Sequence, residues 1–371
     1  MLLALSNTPR DYAWGSTTLL AELEGRAPSG APEAEVWFGD HPGDPADVAG
    51  SGTLDAITGG TLPYLLKLLA ATSPLSIQVH PTREQAAAGF ARETGLDPAD
   101  PSRNYRDDNH KPELIVALSE RFEALSGLRP VADTLRLLDA LPATSGVRAL
   151  RERLTGDGDV LRDTIGWALS GEAPVDDIVA ALAAAESDEF ADTLNGVRGI
   201  AERYPGDGGV VVALLMNFLV LRRGEGVFLR AGLLHAYVSG LGVEIMAASD
   251  NVLRGGLTPK HIDVAELLAV LDTTPGPVPV LRPAAEGPVT TYDVPIPDFA
   301  LRRVQLDGRV EVRVNGPAMV LATVGDVTVS SADADLRVPV GTAAFASADE
   351  TLLTLDGRGE AFVAEPGAQR D

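Results

Sequence analysis

The chain of 371 residues contains no cysteine, which excludes disulfides, thiolate metal sites and cysteine nucleophiles. Any metal must then be held by imidazole, carboxylate or amide oxygen. Positive charge is also scarce: 30 Lys and Arg stand against 53 Asp and Glu, a formal net charge of −23. Such a balance disfavours nucleic acid and anionic membranes as partners, although a few local cations suffice for a small anionic ligand. No apolar run approaches the roughly 18 residues that a membrane helix needs. The opening MLLALSNTPRDYAWG lacks a basic n-region and an A-x-A cleavage pattern. A cytoplasmic location is therefore expected. Histidine is sparse too, with five in the whole chain.

What is present has three textures. Residues 1 to about 128 mix short strand-like pieces such as EVWFG and LLKLLA with one helix signal, where Thr82 opens T-R-E-Q, a capping box. From 129 to 219 apolar residues recur at i, i+3, i+4 and i+7 between Gly, Pro and Asp breaks. That block is expected to hold five or six helices, VVVALLMNFLVL among them. Strand texture returns after Gly224 in GVFLRAG, LHAYVSG and VEIMAAS. A Pro-rich connection follows, and then short alternating runs separated by turn residues about every ten positions. The length predicts more than one unit.

The five histidines are His41, His80, His110, His235 and His261, and none lies in the helical block. In LSIQVHP, Gln78 and His80 stand at i and i+2 of a strand-like run, so both project from one face. Burying both is costly unless something satisfies them. Glu113, in HKPEL, places a carboxylate on an apolar strand, and His235 opens another strand after a Gly-rich turn. One amide, two imidazoles and one carboxylate form a set that suits zinc, with room for water or substrate.

Several ordered segments resemble the type I mannose-6-phosphate isomerases (phosphomannose isomerases). They are YAWGS (12–16), AEVWFGDHP (34–42), LPYLLKLLAATSPLSIQVHP (62–81), NHKPELIVAL (109–118), GEGVFLRAGLLHAYVSG (224–240) and VEIMAASDNVLRGGLTPKHIDV (243–264). A weaker likeness closes the chain at LDGRGEAFVA (355–364). The helical block matches only in position and character. One departure is Leu233-Leu234 before H-A-Y, where the family commonly has Glu-Pro or similar.

The resemblance implies a mainly β protein with an α insertion: two cupin-type jelly-roll β-barrels plus a helical domain. Residues 1–128 and 220–270 would form the catalytic cupin domain, 129–219 the helical insertion and 271–371 a C-terminal cupin-like β-barrel. It implies a zinc-dependent aldose–ketose isomerase interconverting mannose 6-phosphate and fructose 6-phosphate through an enediol or enediolate. One Zn2+ per chain would be held by Gln78, His80, Glu113 and His235. Arg254 of S-D-N-x-x-R would work at the reacting end of the sugar, with Lys111 and Lys260 in the same cleft. The proton-transfer base stays open between Glu244 and Asp250, with Lys111 and His41 as possible shuttles. Ser76, Lys67, Lys260, Tyr237 and His41 are the substrate-binding candidates, and Lys67, Lys111, Arg254 and Lys260 all compete for the phosphate. The expected partner is a small sugar phosphate, with no nucleic acid and no membrane, and the expected state is a monomer. Two other readings remain: a double-cupin protein that binds metal or sugar without turnover, and a metal-dependent oxygenase. Arg254 and Lys260 weigh against the first, and a glutamine ligand against the second.

Overall fold

In the computed structural model, residues 1–278 and 280–368 are described. Their strands form two ten-stranded sheets, and every ladder is antiparallel. The protein is mainly β with a run of helices, as the sequence textures imply. The pairings of neither sheet close into a ring, so the expected closed barrels do not emerge among the described residues.

The first sheet carries the site. Its backbone is the strand His235–Ala247, one continuous element where the sequence suggests two. It pairs with Tyr64–Ala71 on one side and Glu113–Ala117 on the other, and Glu35–Phe38 pairs beyond Tyr64–Ala71. Alternation divides this sheet into two faces. Val36, Phe38, Leu66, Leu68, Leu114, Val116, Val243 and Ile245 point to one side and share a buried core with Tyr292, Leu301, Phe345 and Phe362 of the second sheet. Truncating Phe38, which is fully buried there, costs about 3–5 kcal/mol. The intervening residues Glu35, Trp37, Leu65, Lys67, Leu69, Glu113, Glu244 and Met246 line a cleft. Both faces are thus covered, which is why Tyr64–Ala71 is buried throughout and reads as a continuous apolar run.

The second sheet is built mostly from residue 289 onward, but the N-terminal strand Leu2–Ser6 joins it by pairing with Ala343–Ala346, and Asp47–Val48 and Gly52–Thr53 extend it from there. Two of its strands, Ala318–Ser330 and Leu352–Glu365, each merge two of the short runs seen in the sequence.

Six helices, Val131–Asp139, Ser145–Leu154, Val160–Leu169, Val175–Ala183, Ala191–Arg203 and Gly209–Leu215, lie between the strands Phe122–Leu128 and Met216–Leu221. Those two strands pair with each other, so the helices leave and rejoin the first sheet at one edge. The run VVVALLMNFLVL is therefore half helix and half strand. A continuous apolar stretch carries no period to separate the two, and the cross-strand ladder with Phe122–Leu128 decides for its second half. Thr82 caps the helix Arg83–Glu93 through a complete capping box with Gln85, as T-R-E-Q implies.

Candidate functional site

A cavity of about 680 Å³ opens on the face of the first sheet that turns away from the second. At its floor, His80, Glu113 and His235 bring their ligand atoms within 4.8 Å of one another. Each comes from a different segment. Gln78 pairs with His235 and with Arg254 across neighbouring strands, so the Q-V-H stretch, the H-A-Y strand and the S-D-N-x-x-R loop meet at Gln78.

The protonation pattern of this cluster is fixed by its hydrogen bonds. His80 donates from Nδ1 to the carbonyl of Asn251 at 2.7 Å, and His235 donates from Nδ1 to the carbonyl of Leu233 at 3.0 Å. Both Nε2 atoms then face the Glu113 carboxylate, at 3.1 Å for His80 and 3.4 Å for His235. Burial pushes His80 down to about 4, against the pull of Glu113, so its imidazole is neutral near pH 7. Its Nε2 is buried without a hydrogen-bond partner. Burial alone would raise Glu113, but the Lys111 ammonium at 3.0 Å, together with the His80 and His235 imidazoles, outweighs it and holds the carboxyl well below its usual range. Lone pairs converging without a proton between them are the donor set of a cation site. Gln78, across the ladder from His235, lines the same cavity: its Nε2 donates to Ser76 Oγ at 3.1 Å, and Oε1 has no hydrogen bond among the described residues. The two imidazole nitrogens and the carboxylate fit a divalent metal, and the Gln78 amide oxygen is a further candidate from the same cavity wall.

Beside this cluster lies a second buried group. Lys67 stands directly across the ladder from both Trp37 and Glu244. Its Nζ is 3.2 Å from Glu244 and 3.9 Å from Glu35, and it sits 5.0 Å from the centroid of the Trp37 ring. Burial disfavours its charge, but Glu35, Glu244 and Glu113 more than offset that and raise it above the ordinary lysine value. Glu244 is raised, by burial first and then by the neighbouring Glu113 and Glu35 carboxylates, with Lys67 opposing. Burial, with Glu244 nearby, keeps the Tyr237 hydroxyl protonated.

Toward the mouth the charge reverses. Arg254 and Lys260 line the cavity, and neither side chain forms an ion pair or hydrogen bond among the described residues. Burial lowers both, and each feels another cation: Arg106 acts on Arg254, and Arg254 on Lys260. Two unpaired cations in one cleft make an anion-binding end. Asp250 also lines the cavity and accepts a hydrogen bond from His41 Nε2 at 3.0 Å. Burial would raise Asp250, but His41 keeps it below its ordinary value. His41 stands edge-on to Trp37 and is held by the Gly43 amide at 3.0 Å, so it meets the cleft through Asp250.

The structure thus gathers Gln78, His80, Glu113, His235, Lys67, Lys111, Glu244, Asp250, Arg254, Lys260, Ser76 and Tyr237 in and around one cleft. Sequence reasoning passes over four groups there. Glu35 shares a strand face with Trp37, but its importance depends on the Lys67 register. Arg203 and Tyr204 arrive from the end of a helix. Asn251, fully buried, acts through its backbone: its carbonyl orients His80, while its amide holds the Asp107 and Asn109 carbonyls at 2.9 and 2.8 Å.

Comparison with known proteins bears on the same cleft. The family model for the catalytic domain of type I phosphomannose isomerase matches residues 2–131. The mannose-6-phosphate isomerase of Escherichia coli (strain K12) is 34% identical over 382 residues, covering 96% of this chain and 97% of that protein. The enzyme of the same name from Homo sapiens is 30% identical over 410 residues, with 94% of each covered. A crystal structure of mannose 6-phosphate isomerase bound with zinc and yttrium superposes with a TM-score of 0.88 at 32% identity, covering 99% of this chain and 100% of that one.

Proposed function

Since the chain belongs to the type I phosphomannose isomerase family, we propose that it interconverts mannose 6-phosphate and fructose 6-phosphate. The observation that carries this reading is one cleft holding a buried two-imidazole, one-carboxylate cluster and a pair of unpaired cations.

In this proposal one zinc ion per chain binds Gln78, His80, Glu113 and His235. When bound, the metal supplies a Lewis acid for a sugar oxygen. The chain's own residues do the rest. Lys260, with Ser76 beside Gln78, takes the phosphate, and Arg254 offers a fixed positive charge where the enediolate oxygens develop. Aldose–ketose exchange requires a base that removes the C2 proton and returns one to C1. Glu244 suits that task better than Asp250, because burial moves Glu244 toward neutrality whereas His41 holds Asp250 as an anion. Lys67 keeps Glu244 oriented, Lys111 stands where it can move a proton between the sugar oxygens, and Tyr237 donates to a hydroxyl. Asp250 then serves to position the substrate, and His41 to position Asp250.

The same premise supports a cupin reading of the sheets, with 129–219 as an insertion in a unit of residues 1–128 and 220–270 and 271–371 as the second, the first strand being lent to the C-terminal sheet. It also supports a cytoplasmic monomer acting on a small sugar phosphate. No helix among the described residues is long and apolar enough to cross a membrane. A binding-only protein would give no reason for a buried Lys67–Glu244 pair beside two free cations.

The test is turnover of mannose 6-phosphate by the zinc-loaded protein in deuterated water, followed by a coupled assay for fructose 6-phosphate. Formation of the ketose with solvent deuterium entering at C1 is expected. No ketose from a folded, zinc-loaded sample would refute the reading.

A further inference from the structure

The segment Leu253–Lys260 is held from two sides. On the sheet side, Gly255 N donates to Ile77 O at 2.8 Å and Ile77 N donates to Gly256 O at 3.1 Å, one residue from Gln78. On the helical side the support is Asp207, in the turn before the helix Gly209–Leu215. Its Oδ1 accepts from Gly209 N at 2.7 Å, and its Oδ2 accepts from Thr258 N at 3.2 Å. Thr258 Oγ1 in turn accepts from Lys260 N at 3.1 Å. A cap needs one acceptor oxygen. Asp207 uses the second to reach the loop that presents the cation.

That loop is under backbone strain. Leu257, between Gly256 and Thr258, has φ +57°, the one non-glycine residue with positive φ among the described residues. A branched, buried side chain occupies that region only when its surroundings impose it. The surroundings here leave no slack. A Cβ on Gly209 would lie 2.7 Å from Leu257 N, and one on Gly256 would lie 2.4 Å from Gly209 Cα. The helix start and the loop therefore touch backbone to backbone.

We infer that Asp207 is a positioning residue for the anion-binding end of the cleft: it fixes the strained turn at Leu257–Thr258 and so sets where Lys260 meets the substrate phosphate. This rests on the reading of Lys260 as a phosphate ligand. Asp207 lies in the helical region, outside the motifs that resemble the family, so this assigns the helices a part in substrate affinity.

The experiment is a double-mutant cycle of Asp207→Asn with Lys260→Ala in the zinc-loaded full chain. It reads kcat, KM for mannose 6-phosphate and the inhibition constant of inorganic phosphate. Asn keeps the cap but presents only one acceptor oxygen. Asp207→Asn is expected to raise KM and the phosphate inhibition constant about tenfold while kcat stays within about twofold, and to add nothing in the Lys260→Ala background. Asp207→Ser, whose hydroxyl can still cap Gly209, is expected to behave alike and carries the test if the Asn variant does not fold. Unchanged KM and inhibition constant in a folded Asp207 variant, with Lys260→Ala impaired, would overturn the inference alone. So would an equal effect of Asp207→Asn in both backgrounds. Unchanged values in Lys260→Ala itself would instead overturn the phosphate reading, and the inference with it.

Discussion

Two buried carboxylates, one in each sheet, show how the same group serves opposite ends. Glu360, in the second sheet, is 2% exposed and accepts from Arg223, Arg303, Gln305 and Thr323 at 2.6–2.8 Å. Glu113, in the first, is 4% exposed and faces two imidazole nitrogens whose protons point elsewhere. One is saturated with donors and holds structure together, reaching through Arg223 from the second sheet to the first. The other has one ammonium, Lys111 at 3.0 Å, and otherwise faces imidazole nitrogens with no donated proton to hold. Burial alone does not mark a functional carboxylate; the sign of what surrounds it does.

The largest expected effects come from removing each charge. Glu360→Gln leaves two arginines facing a neutral amide and should destabilise folding by about 3–5 kcal/mol, read by urea denaturation, with kcat within about twofold. Glu113→Gln should do the reverse. Metal affinity and activity should fall by more than about 100-fold, beyond whatever stability the metal-free protein loses with the Lys111 pair. If both variants lost only stability, the contrast between the two carboxylates would be false.

A smaller effect sharpens the contrast through pH. In the metal-free protein, His80 lies at about 4, below the ordinary 6.5. The unfolded chain therefore takes up this proton first as pH falls. The stability from neutral His80 is present above pH 6.5 and is lost between 6.5 and 4, by roughly 3 kcal/mol at most. Glu113, whose value is depressed, adds a loss below the ordinary carboxylate range. Denaturation of the metal-free protein at pH 7 and pH 5 measures this, and zinc should suppress the difference near neutrality.

The smallest change is the least direct. Asn251→Ala removes the amide that holds the loop whose carbonyl orients His80. Zinc affinity should weaken by about 10–100-fold, measured by competition with a chromophoric chelator, with the Glu360 network untouched. An unaltered affinity would mean that His80 needs no such support.

How much of this the sequence discloses follows from which interactions are local. The Q-V-H alternation, the T-R-E-Q cap and the odd carboxylate of HKPEL are visible because each is a departure from its immediate pattern. Lys67 in YLLKLLA is visible as an anomaly, but its partner is not. Only the ladder register sets it opposite Glu244, 177 positions along the chain. Asn251 escapes notice because its service to His80 is a backbone carbonyl, which any residue carries. Arg203, Tyr204 and Asp207 escape because helix periodicity says which face is buried and nothing about what the helix ends touch. The helix-to-strand change at Met216 is hidden for the same reason, since an unbroken apolar run has no period. Lone local oddities are therefore legible, and the pairs that give them meaning come from tertiary structure.

On the proposed reading, Glu113, with its two imidazoles and Gln78, holds one metal ion that the isomerase reaction requires. Stepwise zinc titration of chelator-stripped protein, with bound metal and conversion of mannose 6-phosphate measured on the same samples, tests it most directly. Activity should rise from zero in proportion to bound zinc and level off at about one ion per chain. Full activity in verified metal-free protein would contradict it.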